Sequence, residues 1–504
     1  EEARSIFSRA GSSGISGEVL DGYWEQLGKV RLENSATVGH PSDNEADPNQ
    51  EQVNSLVTLY SKGRFEEALD EGERLIQQFP THVTILNLLG AINSALGRND
   101  EAVVHFSKII ELKPNSAETH YNLASIFKKL KKYEEAITHY QKAIELKPDL
   151  AEAHTNLGTI LNELGQYEEA IDSYNKAIEF KPDFHLAYSN RGSVLKELGK
   201  HEEAIASYNK AIFLRPDSAM AHNNLADILR GLGRYREAMA HFDLSVTPDS
   251  TAQSLECLYE DKNFDEFIER LKLLATTDSK NVRVAAVSAF AAHQLKIEDP
   301  YRFCKNPLDF FHTGSLSNYT ADLDGFVEDI ISEAENENSI WEPKNKTTIL
   351  GFQTANVIFR AGVNCTALEK FILAEIKAYY SKFSLEDCTF IQSWPVDYSL
   401  QGWYVRLIKN GHQLAHIHSG GWISGVVYLR TVDPGNTNEG AIEMGLHGYD
   451  LHIIDKNYPR KVHCPQTGDI ILFPSSLFHR TIPFSEDAER CVIAFDLVPK
   501  ILAS

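Results

Sequence analysis

The sequence predicts two unlike parts, an all-α repeat solenoid and, after it, an α+β domain built round a β-sandwich or barrel. Three observations carry this reading. Pro80, Pro114, Pro148, Pro182 and Pro216 recur every 34 residues, and Ala68, Ala102, Ala136, Ala170, Ala204 and Ala238 keep the same interval. After residue 402 the pattern changes to short apolar runs separated by Gly, Pro, Asn and Asp, which reads as strands and turns. Within that second part His416 and His418 alternate, and His479 and Arg490 follow about sixty and seventy residues later. A chain of 504 residues exceeds one ordinary core, so several domains are expected.

Composition narrows the function. The net charge of −22 argues against a nucleic-acid partner, which requires a basic face. It permits a basic peptide or protein partner, although an acidic surface more often serves solubility. The six cysteines are scattered without a CxxC and suit reduced thiols, hence a cytoplasmic protein. No apolar run approaches the ~20 residues that span a bilayer. The sequence opens at Glu1 without a signal-peptide pattern.

Residues 1–48 are rich in Ser, Gly, Asp and Glu, with one amphipathic helix expected over Ile15–Leu32 and a linker over Glu33–Asn49. From residue 49 to 248 about six repeats follow. Each should hold two amphipathic helices, with Leu157, Ile160 and Leu161 facing inward from one and Ala170, Ile171, Tyr174 and Ile178 from the other. The alanine lets the helices approach, Gly165 turns the chain between them, and the proline ends the second helix. One unit cannot bury its own apolar face, so units stack. A 34-residue period is that of the tetratricopeptide repeat.

These repeats resemble those of O-GlcNAc transferase in one respect. Asn122, Asn156, Asn190 and Asn224 recur at one position of consecutive first helices. The resemblance implies that these asparagines bind the backbone of an extended peptide, since an amide both donates and accepts. The competing reading is a polar position inherited with a duplicated repeat. Leu88 interrupts the series, although Asn54 holds the position in the first repeat. Residues 249–299 lose the period but still read as helices over Leu255–Ala275 and Val282–Lys296, a degenerate cap or linker.

From residue 300 the character changes again. Helices are expected over Tyr319–Asn336 and Thr366–Phe383, and strands over Thr347–Thr354 and Cys388–Trp394. The barrel core should span 402–499, with strands at Trp403–Leu407, Ser424–Leu429, Ala441–Met444, Asp469–Phe473 and Cys491–Phe495. In an extended strand His416 and His418 leave the same face, and imidazole nitrogen suits iron, zinc, copper or nickel.

The run His416-Ile417-His418, Ser424–Leu429, Gly468–Ser475, His479–Phe484 and Arg490 resembles the 2-oxoglutarate and Fe(II)-dependent oxygenases, in the bacterial HxH…H…R subfamily. Weaker similarity reaches back to about residue 305, so the domain is expected over 300–504. The resemblance implies a double-stranded β-helix of the jelly-roll or cupin type. It implies Fe(II), 2-oxoglutarate and O2, with His416 and His479 as metal ligands. His418 stands where most of that superfamily carries Asp or Glu. Either it is the third ligand, or two histidines bind and water or another residue, with Glu443 the nearest carboxylate, completes the site. Arg490 is implied to hold the far carboxylate of 2-oxoglutarate, with Tyr428 donating to it. The family often has Ser two residues after the arginine; here it is Val492, with Ser475 or Thr481 as substitutes.

The expected reaction couples decarboxylation of 2-oxoglutarate to succinate with hydroxylation of a C–H bond. A protein or peptide captured by the repeats is the first substrate reading. A small-molecule oxygenase and a scaffold with an inactive oxygenase domain are the alternatives. The spacing of His412 suits a supporting or solvent-facing role, and His447, His452 and His463 are expected at the surface.

Overall fold

The structure is a computed structural model that describes residues 48–500 apart from 248, 345 and 434–436. The helix and linker expected before residue 48 lie outside the described residues. The chain divides into two compact units, the first ending at Ala221 and the second beginning at His222.

The first unit is built of paired helices: Gln50–Ser61 with Phe65–Gln78, Val83–Ala95 with Asn99–Leu112, Ala117–Lys129 with Tyr133–Leu146, Ala151–Glu163 with Tyr167–Phe180, and His185–Glu197 with His201–Leu214. The periodic alanines explain the close pairing: Ala68, Ala102, Ala136, Ala170 and Ala204 are all fully buried. Facing them, small residues on the first helix receive an aromatic ring from the second. A Cβ at Gly158 would lie 2.8 Å from the Tyr174 ring, and one at Gly192 would lie 3.0 Å from Tyr208. Each second helix stops two residues before its proline, which has no N–H to continue the ladder. Gly165 turns the chain at φ +75°, a left-handed conformation that glycine adopts without strain. In the preceding repeat Lys131 takes the same conformation at φ 57°.

Helix Ala219–Gly231 runs across the start of the second unit, which continues with helices Tyr235–Ser245, Ser250–Glu260, Phe264–Thr277 and Val282–Leu295. The single helix expected over Leu255–Ala275 is broken. Lys262 turns to φ 59° and starts a new helix at Phe264. Ser250–Glu260 and Val282–Leu295 share one apolar core with the β-domain that follows. Polar contacts reinforce it: Tyr259 Oη donates to the His452 carbonyl at 2.9 Å, and Gln294 Oε1 accepts from the Ile454 and Asp455 amides. Glu256 is buried between Arg230 and Arg283, and the Arg283 guanidinium lies 4.6 Å from the Tyr449 ring centre. All three ions of that cluster are paired, as buried charge requires.

The β-domain contains strands β1 (His312–Ser315), β2 (Ser339–Trp341), β3 (Thr348–Thr354), β4 (Tyr398–Gln413), β5 (Ile423–Arg430), β6 (Ile442–Gly445), β7 (Arg460–His463), β8 (Asp469–Pro474), β9 (Phe478–Thr481) and β10 (Arg490–Pro499). Seven form one antiparallel sheet, ordered β1-β8-β5-β10-β4-β3-β2; three form a second, ordered β7-β6-β9. This is the double-sheet, jelly-roll type of arrangement the sequence led us to expect. The expected helices are present as Leu323–Glu335 and Val363–Phe383. Cys388–Trp394 is not a strand: Thr389–Gln392 is a short helix. It sets Phe390 in an aromatic cluster with Phe303, Phe310 and Trp422. Among the described residues no helix is long and apolar enough to cross a membrane.

Candidate metal centre and cosubstrate pocket

The site lies where the two sheets meet. After β4 the chain runs on past Gln413, and His416 forms an isolated antiparallel bridge with His479 on β9. The bridge is reciprocal: each residue's N–H donates to the other's carbonyl at 3.1 Å. His418 is tied two residues later by its N–H to the Ser475 carbonyl, at 3.2 Å. Backbone bonds therefore bring together histidines more than sixty residues apart. Their ring centres lie 5.0 Å (His416–His418), 4.3 Å (His416–His479) and 5.0 Å (His418–His479) apart. One nitrogen from each ring falls within 4.8 Å of the others.

Each ring's other nitrogen is already committed. His416 Nδ1 lies 2.6 Å from the Leu414 carbonyl, and His479 Nδ1 lies 3.2 Å from the Leu477 carbonyl, so each donates there. His418 Nδ1 donates to Asp496 Oδ1 at 2.6 Å. All three are thus fixed as the Nδ1–H tautomer, which leaves each Nε2 lone pair for a metal. Burial lowers the pKa of His416 to about 4, with neighbouring His418 adding to the effect. Burial, then His416 and His418, pushes His479 well below the ordinary range. Both rings are therefore neutral at physiological pH, as ligation requires.

These histidines line a cavity of about 530 Å³ that also reaches Ser424, Val426, Ile442, Phe473, Arg490, Ala494 and Asp496. Arg490 is 2% exposed and Tyr428 fully buried. The guanidinium carbon stands 5.0 Å from the Tyr428 ring centre. Arg490 Nε donates to the Gly440 carbonyl at 3.0 Å. Arg490 Nη1 and Tyr428 Oη have no hydrogen-bond partner among the described residues. Burial raises the Tyr428 pKa to about 12, opposed by the adjacent guanidinium. Buried donors without acceptors are rare and costly. Two of them side by side match what the far carboxylate of a dicarboxylic acid needs. The residues present therefore fit both iron and 2-oxoglutarate.

Other expected residues lie elsewhere. Glu443 pairs with Arg480 at 2.9 Å, because the β6–β9 register sets Glu443 opposite Arg480 and Met444 opposite His479. Side chains alternate along a strand, so Glu443 faces away from the histidines. Tyr404 Oη donates to Cys491 Sγ, and Arg406 lies over the Phe352 ring and near Glu489. Ser475 Oγ is engaged with Ser424 Oγ at 2.8 Å, while Thr481 lines the cavity. His412 Nδ1 meets the Asn410 carbonyl, and His463 meets Asp469. His447 is less superficial than its polar neighbours suggest, packing 5.1 Å from Phe290. Asp496 is the residue sequence reasoning missed. Its signal was available: it lies six residues after Arg490 on one strand, hence on the same face.

In the first unit Asn122, Asn156 and Asn190 are half-buried, as is Asn224 in the second. Asn156 is held from the preceding repeat: its Nδ2 donates to Tyr121 Oη at 3.1 Å and its Oδ1 accepts from Lys128 Nζ at 2.8 Å. One donor and one lone pair of that amide stay uncommitted by these bonds.

Fold and cavity define a repeat protein whose C-terminal β-domain brings three histidines and a buried arginine to one cavity. Comparison with known families agrees. Residues 401–496 match the family described as "Putative 2OG-Fe(II) oxygenase". Tetratricopeptide-repeat families match residues 57–117, 115–183, 173–206, 192–233 and 220–247. The chain is a tetratricopeptide-repeat protein with a C-terminal domain of this oxygenase family. No curated protein matches it. Among solved structures, MamA is 29% identical over 32% of this chain and 96% of its own, with a TM-score of 0.31. YrrB, described as a TPR protein with an unusual peptide-binding site, is 24% identical over 34% of this chain and 90% of its own, with a TM-score of 0.31. The C-terminal part of a TPR repeat-containing protein from Cytophaga hutchinsonii is 14% identical over 47% and 98%, with a TM-score of 0.41.

Proposed function

We propose that the protein is a 2-oxoglutarate- and Fe(II)-dependent dioxygenase that hydroxylates a protein or peptide captured by its repeats. One observation carries the reading: three histidines, each offering an imidazole nitrogen, and the buried Arg490 guanidinium line one cavity, with Tyr428 packed against that guanidinium. His416, His418 and His479 would hold the iron through Nε2. Arg490 and Tyr428 would take the far carboxylate of 2-oxoglutarate. Bound iron supplies the redox chemistry with O2 and the cosubstrate. The chain's own part is to orient and to exclude water. Val426, Ile442, Phe473 and Ala494 give the cavity apolar walls, which strengthen every charged contact inside it.

The repeats support the substrate reading, because the amides of Asn122, Asn190 and Asn224 can pair with peptide units of any sequence. The test is succinate release from 2-oxoglutarate by the full chain. It should require Fe(II) and O2 and vanish in His479→Ala. Absence of turnover in wild type, with metal bound, would instead support a scaffold whose domain is silent. Asn122→Ala with Asn190→Ala should weaken protein capture while uncoupled succinate release persists. If capture is unchanged, the repeats serve assembly and the substrate is small.

A further inference from the structure

We propose that Asp496 is a positioning residue that fixes His418 as a metal ligand and supplies, through that imidazole, the negative charge absent from the ligand set. The inference rests on the metal reading above. A ligand set of three neutral imidazoles leaves a divalent ion with its full charge, whereas one carboxylate ligand would halve it. Among the residues lining the cavity Asp496 is the one carboxylate.

Its placement follows from two registers. Alternation along β10 sets Asp496 on the face of Arg490 and Ala494, toward the cavity. The β5–β10 pairing sets it opposite Ser424. There Asp496 Oδ1 accepts from His418 Nδ1 at 2.6 Å and from Ser424 Oγ at 2.7 Å. Ser424 Oγ also touches Ser475 Oγ at 2.8 Å, and the Ser475 carbonyl accepts the His418 N–H at 3.2 Å. Backbone and ring of His418 are thus gripped by one connected group. Gly421 closes it: a Cβ there would lie 2.7 Å from Ser475 Oγ and 3.2 Å from the Asp496 carboxyl carbon. The loop can press this close only without a side chain.

The consequence is chemical. A carboxylate on Nδ1–H orients the ring, fixes its tautomer and raises the basicity of Nε2. Oδ1 is spent on His418 and Ser424, so the geometry favours action through the ring over direct ligation.

The test titrates the metal-free full-length protein with Co(II), read by calorimetry and by the cobalt absorption bands. The expected ranking is wild type, then Ser424→Ala, then Asp496→Asn about 10-fold weaker, then Asp496→Ala about 100-fold weaker. His479→Ala should abolish binding. Asp496→Asn recovers part of the loss because its amide oxygen still accepts from Nδ1–H, with the cobalt bands unchanged in type. If Asp496→Ala binds Co(II) within twofold of wild type while His479→Ala does not bind, the inference is wrong and the metal reading stands. If Asp496→Asn abolishes Co(II) binding as His479→Ala does, or still binds with cobalt bands of a different type, Asp496 is itself a ligand and the positioning role falls. If wild type takes up no Co(II), the metal reading fails and this inference with it. Ser424→Ala leaves carboxylate and ring in place, so it keeps the comparison open should Asp496→Ala fail to fold.

Discussion

Replacing Arg490 by methionine should make the ligand-free protein more stable and nearly abolish cosubstrate binding. Arg490 is 2% exposed, and its Nε donates to the Gly440 carbonyl. Losing that bond costs about 1–2 kcal/mol. Against it stands the effective desolvation of a buried unpaired ion, several kcal/mol, which methionine of similar length removes. The net expectation is a gain of about 1–3 kcal/mol in urea unfolding of the ligand-free β-domain. Breaking a buried charge pair costs about 3–5 kcal/mol, so 2-oxoglutarate affinity should fall by about 10² to 10⁴-fold. Calorimetry with Mn(II) in place of iron reads the second number without turnover. Arg490→Lys keeps the charge but loses the planar fork and should fall between. A variant that loses more than about 2 kcal/mol of stability yet keeps its 2-oxoglutarate affinity would refute the reasoning, because the arginine would then be structural.

Three further outcomes follow from the same site. Tyr428→Phe removes a buried hydroxyl with no partner among the described residues, so ligand-free stability should hold or rise by about 1 kcal/mol while the KM for 2-oxoglutarate rises about 10- to 100-fold. The metal-free protein should lose stability as pH falls. His416 titrates at about 4 in the folded state, and an exposed histidine titrates near 6.5. The unfolded chain therefore binds protons first, so this stability is complete above ~6.5 and drains as pH approaches 4. The His416 share is at most about 3 kcal/mol, reduced by its partial exposure, and His416→Gln should lessen the fall of the urea midpoint across that window, leaving the share of His479, which is lowered in the same direction. Gly448→Ala would set a Cβ 2.0 Å from Phe478, whose ring packs on Tyr449 at 4.8 Å and whose neighbour is His479. It should cost about 1–3 kcal/mol and weaken Co(II) uptake, checked by urea unfolding and metal titration.

Much of the fold was legible before any coordinates. The repeats were, because stacking identical units forces identical packing residues, and Ala68 to Ala204 are indeed the buried positions. Most core strands were, from alternation and β-branched runs. The short elements were not. Cys388–Trp394 has the composition of a strand, yet a strand would hold Phe390 and Trp394 about 13 Å apart, whereas their rings lie 5.8 Å apart. Leu255–Ala275 hid a break, because Lys262 carries no mark of a left-handed turn.

By itself the sequence determined the 34-residue stacking unit, the alternate spacing of His416 and His418, and the residue types suited to a metal. These depend on local spacing, which period and alternation express directly. Tertiary structure alone decided that His416 and His479 exchange backbone hydrogen bonds, that a one-residue register turns Glu443 away, and that Asp496 meets His418. Each of these depends on which strand lies beside which, and pairing between distant segments is settled only when the whole core closes.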